Sequence, residues 1–146
     1  MVARAGIRPG DVVVDLGAGT GGLTAALVAV GATVVAVELH PGRRAALGER
    51  FAGAPVRVVA GDVATCPLPR RPFRVVANPP WAVAESVRAR LLAAPRLIQA
   101  DLVLPRWLVR RWAERSPRIA VGTSLRAESF HPPAPTGAAV AVIRRR

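Results

Sequence analysis

The chain has 146 residues, enough for one domain with a real core and too few for two ordinary ones. Hydrophobic residues make up 51%, which excludes a disordered polar segment. Twenty-one basic residues stand against nine acidic ones, giving a net charge of +12, and all the basic residues are arginine. Such a surface favours a polyanionic partner, nucleic acid above all, through counterion release and bidentate phosphate contacts.

In chain order, residues 1–10 carry two arginines and no apolar core, so they do not form a signal peptide. β-Branched runs predict strands at 12–16, 33–37, 56–60, 73–77, 98–104, 119–125 and 138–143, and helical patterns fill the gaps at 22–30, 41–51, 83–93 and 106–115. Strands alternating with helices predict a mostly parallel α/β sheet of seven strands. The first strands are apolar nearly throughout, as expected where both faces are covered. No convincing helix separates the last two, which predicts an antiparallel hairpin at the sheet edge. Residues 70–72 and 131–135 are loops by composition. The uncharged stretch between Asp15 and Glu38 is long enough to cross a membrane, but five glycines and three threonines divide it into strand, loop, helix and strand, so no membrane span is expected. Cys66 is the only cysteine, which excludes an internal disulfide or cysteine zinc site and fits a reducing cytoplasm. His40 and His131 lack companion ligands and read as loop residues, so no metal is expected.

Two segments carry chemistry. After the first strand, Asp15-Leu-Gly17-Ala-Gly19-Thr-Gly21-Gly22 opens a helix, and glycines there bring the backbone close to a ligand at the helix N-terminus. Gly17, Gly19 and Gly22 also satisfy the dinucleotide fingerprint, with Glu38 near the spacing of a ribose-binding acid, so NAD stays open. Three features favour S-adenosyl-L-methionine. Asp15 directly precedes the loop, where an acid can engage the methionine ammonium directly or through water. Asp62, after the third strand, can accept from the adenine amine. Asn78-Pro79-Pro80-Trp81 closes the fourth strand, facing the same crevice. In that turn the Asn78 side-chain oxygen and the Pro79 carbonyl can each accept one N–H of an exocyclic amine, Pro80 fixes the turn, and Trp81 offers a stacking face. The tetrapeptide thus points to methyl transfer to an amino nitrogen. Farther on, Arg106 and Arg110 share one face of the predicted 106–115 helix and Arg111 and Arg115 another, a basic stripe suited to RNA.

With these residues in view, the chain resembles the rRNA adenine N6-methyltransferases of the Erm and KsgA type. Residues 15–24 look like their cofactor loop, Val37-Glu38-Leu39 like their ribose-binding acid, and Gly61-Asp62-Val63 like their adenine-binding acid. Asn78 to Trp81 is similar to their catalytic turn, with Trp in place of the usual Tyr or Phe. Phe130-His-Pro-Pro-Ala-Pro resembles their late Phe-x-Pro-x-Pro segment, which implies a place for Phe130 beside the target adenine. The resemblance implies a Rossmann-like class I methyltransferase fold and a single catalytic domain over 1–146. It also implies S-adenosyl-L-methionine as cofactor, held by Asp15, Gly17, Gly19, Gly21, Glu38, Leu39, Asp62, Val63 and Asn78. The implied activity is adenine methylation in ribosomal RNA, as in Erm-type antibiotic resistance or KsgA-type dimethylation. Against the family's pattern, no N-terminal closing element and no C-terminal helical RNA-binding domain is expected in 1–146, and a protein partner or oligomer is the expected substitute. Competing readings are a DNA adenine methyltransferase, a protein-glutamine methyltransferase, and a methyltransferase-like module that only binds RNA.

Overall fold

The computed structural model describes residues 1–125 and 137–145. Phe130 and His131 lie outside the described residues. Seven strands form one sheet in the order β3-β2-β1-β4-β5-β7-β6. They are β1 (Val12–Leu16), β2 (Thr33–Glu38), β3 (Val56–Ala60), β4 (Phe73–Ala77), β5 (Leu97–Pro105), β6 (Ile119–Leu125) and β7 (Ala138–Arg144). Strands β1 to β5 pair in parallel, and β7 runs antiparallel to both β5 and β6. The expected hairpin is present, with β7 slotted between β5 and β6, so the earlier strand takes the edge. Ala138 to Val140 and Ile143 are buried accordingly, while β6 is largely exposed or half-exposed.

Helices α1 (Gly22–Ala29), α2 (Pro41–Arg50), α3 (Ala84–Ala93) and α4 (Arg106–Arg115) fall within a residue or so of their predicted positions. Alternation along the strands sends successive side chains to opposite faces. Val13, Val34 and Val76 pack with Leu27 of α1 and with Ala5 near the N-terminus, and Ala36 meets Leu47 and Phe51 beside α2. Val14, Val75 and Leu102 face the other way, onto Val87 and Leu91 of α3 and onto Leu108, Val109 and Trp112 of α4. Each fully buried Val or Leu contributes about 1.5–3 kcal/mol relative to exposure. The expectation that the first strands are covered on both faces fails at β3, where no residue is fully buried. No helix links β3 to β4, so Val35, Val37 and Val59 border an open cavity roofed by Pro67 to Arg71.

The sheet parts at one point. Strand β1 stays in register with β2 through Leu16↔Val37, but its pairing with β4 ends at Val14↔Val75. Between β1 and β4 the strand order reverses, and the chains leaving their carboxyl ends diverge. A crevice at such a switch point is where open α/β sheets bind ligands.

Candidate functional site

The segments leaving four adjacent strands line one cavity of ≈ 560 Å³ at this crevice. Gly17 and Gly19 come from the β1 loop, Glu38 and Leu39 from β2, Asp62 and Val63 from β3, and Asn78 to Trp81 from β4. Gly17 has φ +80°, and a Cβ there would lie 3.2 Å from Pro80 Cδ. Glycine at this position therefore meets two needs: a left-handed backbone and close approach of the Asn-Pro-Pro-Trp turn. Gly19, at φ +58°, turns its N–H to Glu38 Oε2 at 2.8 Å.

Glu38 is 6% exposed and ties the first two strand ends together. Its Oε1 accepts from the His40 N–H at 3.1 Å and lies 3.9 Å from Arg43 Nη1. A carboxylate has about four acceptor positions, so capacity remains for the vicinal hydroxyls of a ribose. Asp62 is exposed, and its Oδ1 accepts from the Ala64 N–H at 2.8 Å, which fixes the carboxylate at the cavity edge. His40 is a helix cap: its Nδ1 accepts from the Arg43 N–H at 3.3 Å.

Two expected cofactor residues sit behind the loop and not on the cavity wall. Asp15 is 1% exposed, and its Oδ2 accepts from Thr24 Oγ1 at 2.7 Å. Burial pushes its carboxyl up to about 6; the Thr24 hydrogen bond works against this and the nearby Glu38 charge adds to it. Asp15 therefore stands behind the glycine loop and does not line the cavity. Gly21 supplies φ +93° at the start of α1, and a Cβ there would fall 2.7 Å from the Phe51 ring, so backbone and packing both require glycine at this position.

The Asn-Pro-Pro-Trp turn presents Asn78 exposed, Pro79 buried and Trp81 half-buried at the head of a short 3₁₀ turn. The Pro80 carbonyl accepts the Val83 N–H at 3.2 Å, whereas the Pro79 carbonyl accepts no backbone N–H among the described residues. An amino group held between Asn78 and Pro79 would find both acceptors available. Glu85 and Trp112 secure the turn's far side: Trp112 Nε1 donates to Glu85 Oε1 at 2.7 Å, linking α4 to α3.

The four α4 arginines are divided. Arg110, Arg111 and Arg115 are exposed, but Arg106 is half-buried beside Gly137, where an added Cβ would lie 3.3 Å from its Nη2. Arg106 packs beside the start of β7, so of the four arginines expected on the basic stripe Arg110, Arg111 and Arg115 stand exposed.

Several residues that shape the cavity were missed because their partners are remote in the chain. Arg90 of α3 donates to the Val63 carbonyl at 2.6 Å and to the Cys66 carbonyl, clamping the loop that carries Asp62. Arg50 of α2 donates to the Thr20 carbonyl at 2.7 Å, and Arg44 to the Leu39 carbonyl. Thr24 lies within the glycine-loop motif itself, and only the fold shows its bond to Asp15.

Residues 1–130 match the sequence profile of a family described as ribosomal RNA adenine dimethylase. The chain is 36% identical over 129 residues to ribosomal RNA small subunit methyltransferase A of Leifsonia xyli subsp. xyli, covering 84% of this chain and 44% of that protein. It is 37% identical over 98 residues to rRNA adenine N-6-methyltransferase of Streptomyces fradiae, covering 65% of this chain and 31% of the relative. The crystal structure of the 23S rRNA methyltransferase ErmE is similar at a TM-score of 0.89 and 25% identity, over 99% of this chain and 65% of that one. The chain thus spans less than half the length of these two curated relatives. Its sheet has the class I S-adenosylmethionine methyltransferase fold. Among the described residues, no helix is long and apolar enough to cross a membrane.

Proposed function

The chain belongs to the ribosomal RNA adenine dimethylase family, and from that premise we propose that it methylates the N6 amine of an adenine in ribosomal RNA. The family is S-adenosylmethionine-dependent. The carrying observation is the abutment of the Asn-Pro-Pro-Trp turn on the glycine loop at Gly17, which joins amine acceptors and cofactor acids in one cavity.

The donor set suits S-adenosylmethionine. Glu38 would accept from the ribose hydroxyls and Asp62 from the adenine amine, and Leu39 and Val63 would supply apolar walls. Gly17 and Gly19 let the backbone approach the ligand, and Asp15 lends negative charge from behind the loop. When bound, S-adenosylmethionine supplies an electrophilic methyl whose transfer leaves a neutral thioether. Asn78 and Pro79 act on the other reactant. The N6 lone pair of adenine is delocalised into the ring and attacks poorly. Acceptance of both N–H groups by Asn78 Oδ1 and the Pro79 carbonyl localises that lone pair as the nitrogen pyramidalises. Trp81 holds the unstacked base by its face, a contact worth about 1–3 kcal/mol. Because positioning and aligned acceptors lower the barrier, no strong general base is needed and the surplus proton passes to water.

The test is methyl transfer from a tritiated donor to intact ribosomal subunits, naked rRNA and DNA. N6-methyladenine in rRNA is the expected product, and the labelled position separates a small-subunit target from a 23S target and one methyl from two. Label confined to DNA would redirect the reading to a DNA methyltransferase. Tight NADH binding with no S-adenosylmethionine binding would overturn the cofactor assignment. RNA binding without transfer would reduce the chain to a binding module.

A further inference from the structure

Trp81 lines a second cavity, of ≈ 670 Å³, walled on its other side by α4. Its base is formed by buried Ala84 and Leu108, and Trp107, Arg111 and Arg115 stand along one edge. These three recur every four residues and form one stripe of the helix. The core-facing side of α4 is Leu108, Val109 and Trp112, so Trp107 is not a core residue; it is 58% exposed. A tryptophan left in solvent beside two exposed arginines matches the two surfaces of a nucleotide, a flat π-face and a phosphate.

Glu85, on the opposite wall, orients the occupant. Its oxygens accept from Trp112 Nε1 at 2.7 Å and from Arg88 Nε at 2.9 Å. The Trp112 hydrogen bond, with the Arg88 contacts and the nearby Arg111 charge behind it, holds its carboxyl below the usual range, so it is an anion at neutral pH. A phosphate is repelled from that wall and drawn to Arg111 and Arg115.

We propose that this groove holds the nucleotide adjacent to the target adenine, with its base on the Trp107 ring and its phosphate on Arg111 and Arg115. The inference rests on the reading that the Asn78–Trp81 turn takes the adenine, since the shared Trp81 makes the two cavities neighbours. Trp107 then grips the flanking nucleotide by its base, whichever base it is, without touching the reacting atoms.

The experiment uses the full chain and a fluorescein-labelled, single-stranded RNA pentanucleotide with a central adenosine, alongside two versions lacking the base on one or the other side of that adenosine. Binding is read by anisotropy for the wild type, Trp107→Ala and Trp107→Phe, with S-adenosylmethionine affinity and Tm measured in parallel. Trp107→Ala should weaken binding of the intact pentanucleotide ~10-fold, in the range of base–aromatic stacking. Trp107→Phe should recover most of that loss. The loss should vanish for one of the two abasic RNAs, which identifies the flank, and S-adenosylmethionine affinity should not change. An equal loss on all three RNAs, no loss on any, or no RNA binding by the wild type overturns the subsite. A fall in Tm without a flank-selective loss also overturns it, and assigns the groove to the chain's own packing. The two readings fail separately. Methyl transfer by the wild type with no effect of Trp107→Ala removes only the subsite. A flank-selective loss in a chain that transfers no methyl keeps the subsite and removes the catalytic reading.

Discussion

The two halves of the crevice are built differently. On the β1–β3 side, the cavity-lining acids and the flanking loops are already held: Gly19 and His40 donate to Glu38, Ala64 donates to Asp62, and Arg50 and Arg90 grip the flanking loops. On the β4–α4 side, Asn78, Trp107, Arg110, Arg111 and Arg115 are exposed. A small cofactor yields little contact area, so affinity depends on acceptors that are ordered before it arrives. A long polyanion gains from many loosely held cations and tolerates their mobility. The same domain therefore carries a pre-shaped half and an adaptable half, and substitutions should separate them.

The largest expected effect lies at the junction. Asn78→Ala should lower single-turnover methyl transfer by about 10²–10³-fold, the range for losing one aligned transition-state group. Its S-adenosylmethionine affinity by calorimetry should stay near wild type. A rate near wild type would remove Asn78 from the amine.

Next comes the buried acid of the ordered half. The folded-state carboxyl of Asp15 titrates near 6 against an ordinary 3.8, so the folded state keeps its proton over that window while the unfolded state loses it. Stability should therefore fall as pH rises from about 4 to about 6, by about 3 kcal/mol. Asp15→Asn removes this component. Urea unfolding at several pH values should show the variant gaining on the wild type across that window. A difference that does not vary with pH would assign the burial penalty elsewhere.

Arg90→Met should release the 62–66 loop and weaken S-adenosylmethionine binding by about 1–2 kcal/mol, as expected for losing hydrogen bonds to a charged donor, with RNA binding unchanged. Equal losses in both ligands would erase the distinction between the halves.

The smallest effect at fixed salt belongs to the adaptable half. Replacing Arg111 and Arg115 by Gln should flatten the dependence of log affinity for RNA on log salt by about 1.5 units, at roughly 0.7–0.9 per lost phosphate contact. Arg106→Gln should leave the slope unchanged because that guanidinium packs beside Gly137. A slope change from Arg106 alone would restore the stripe expected from helical spacing.

Much of this molecule was legible along the chain. β-Branched runs predicted every strand, and the α4 bounds, Arg106–Arg115, came out as the pattern placed them. Glu38, Asp62 and Asn78 line one cavity because each ends or follows a strand, and parallel strands in one sheet carry such positions to one edge. These are consequences of local chemistry: side-chain branching, glycine freedom and helical periodicity act over a few residues. What only the tertiary structure decided joins residues far apart. Helical spacing did not record that Arg106 would pack beside Gly137 at the start of β7. The early end of the β1–β4 pairing opened the crevice, Arg90 reached back 27 residues to Val63, and Trp112 found Glu85 across two helices. Such partners are set by where the sheet brings each element, and no local propensity records which distant carbonyl or carboxylate a side chain will meet.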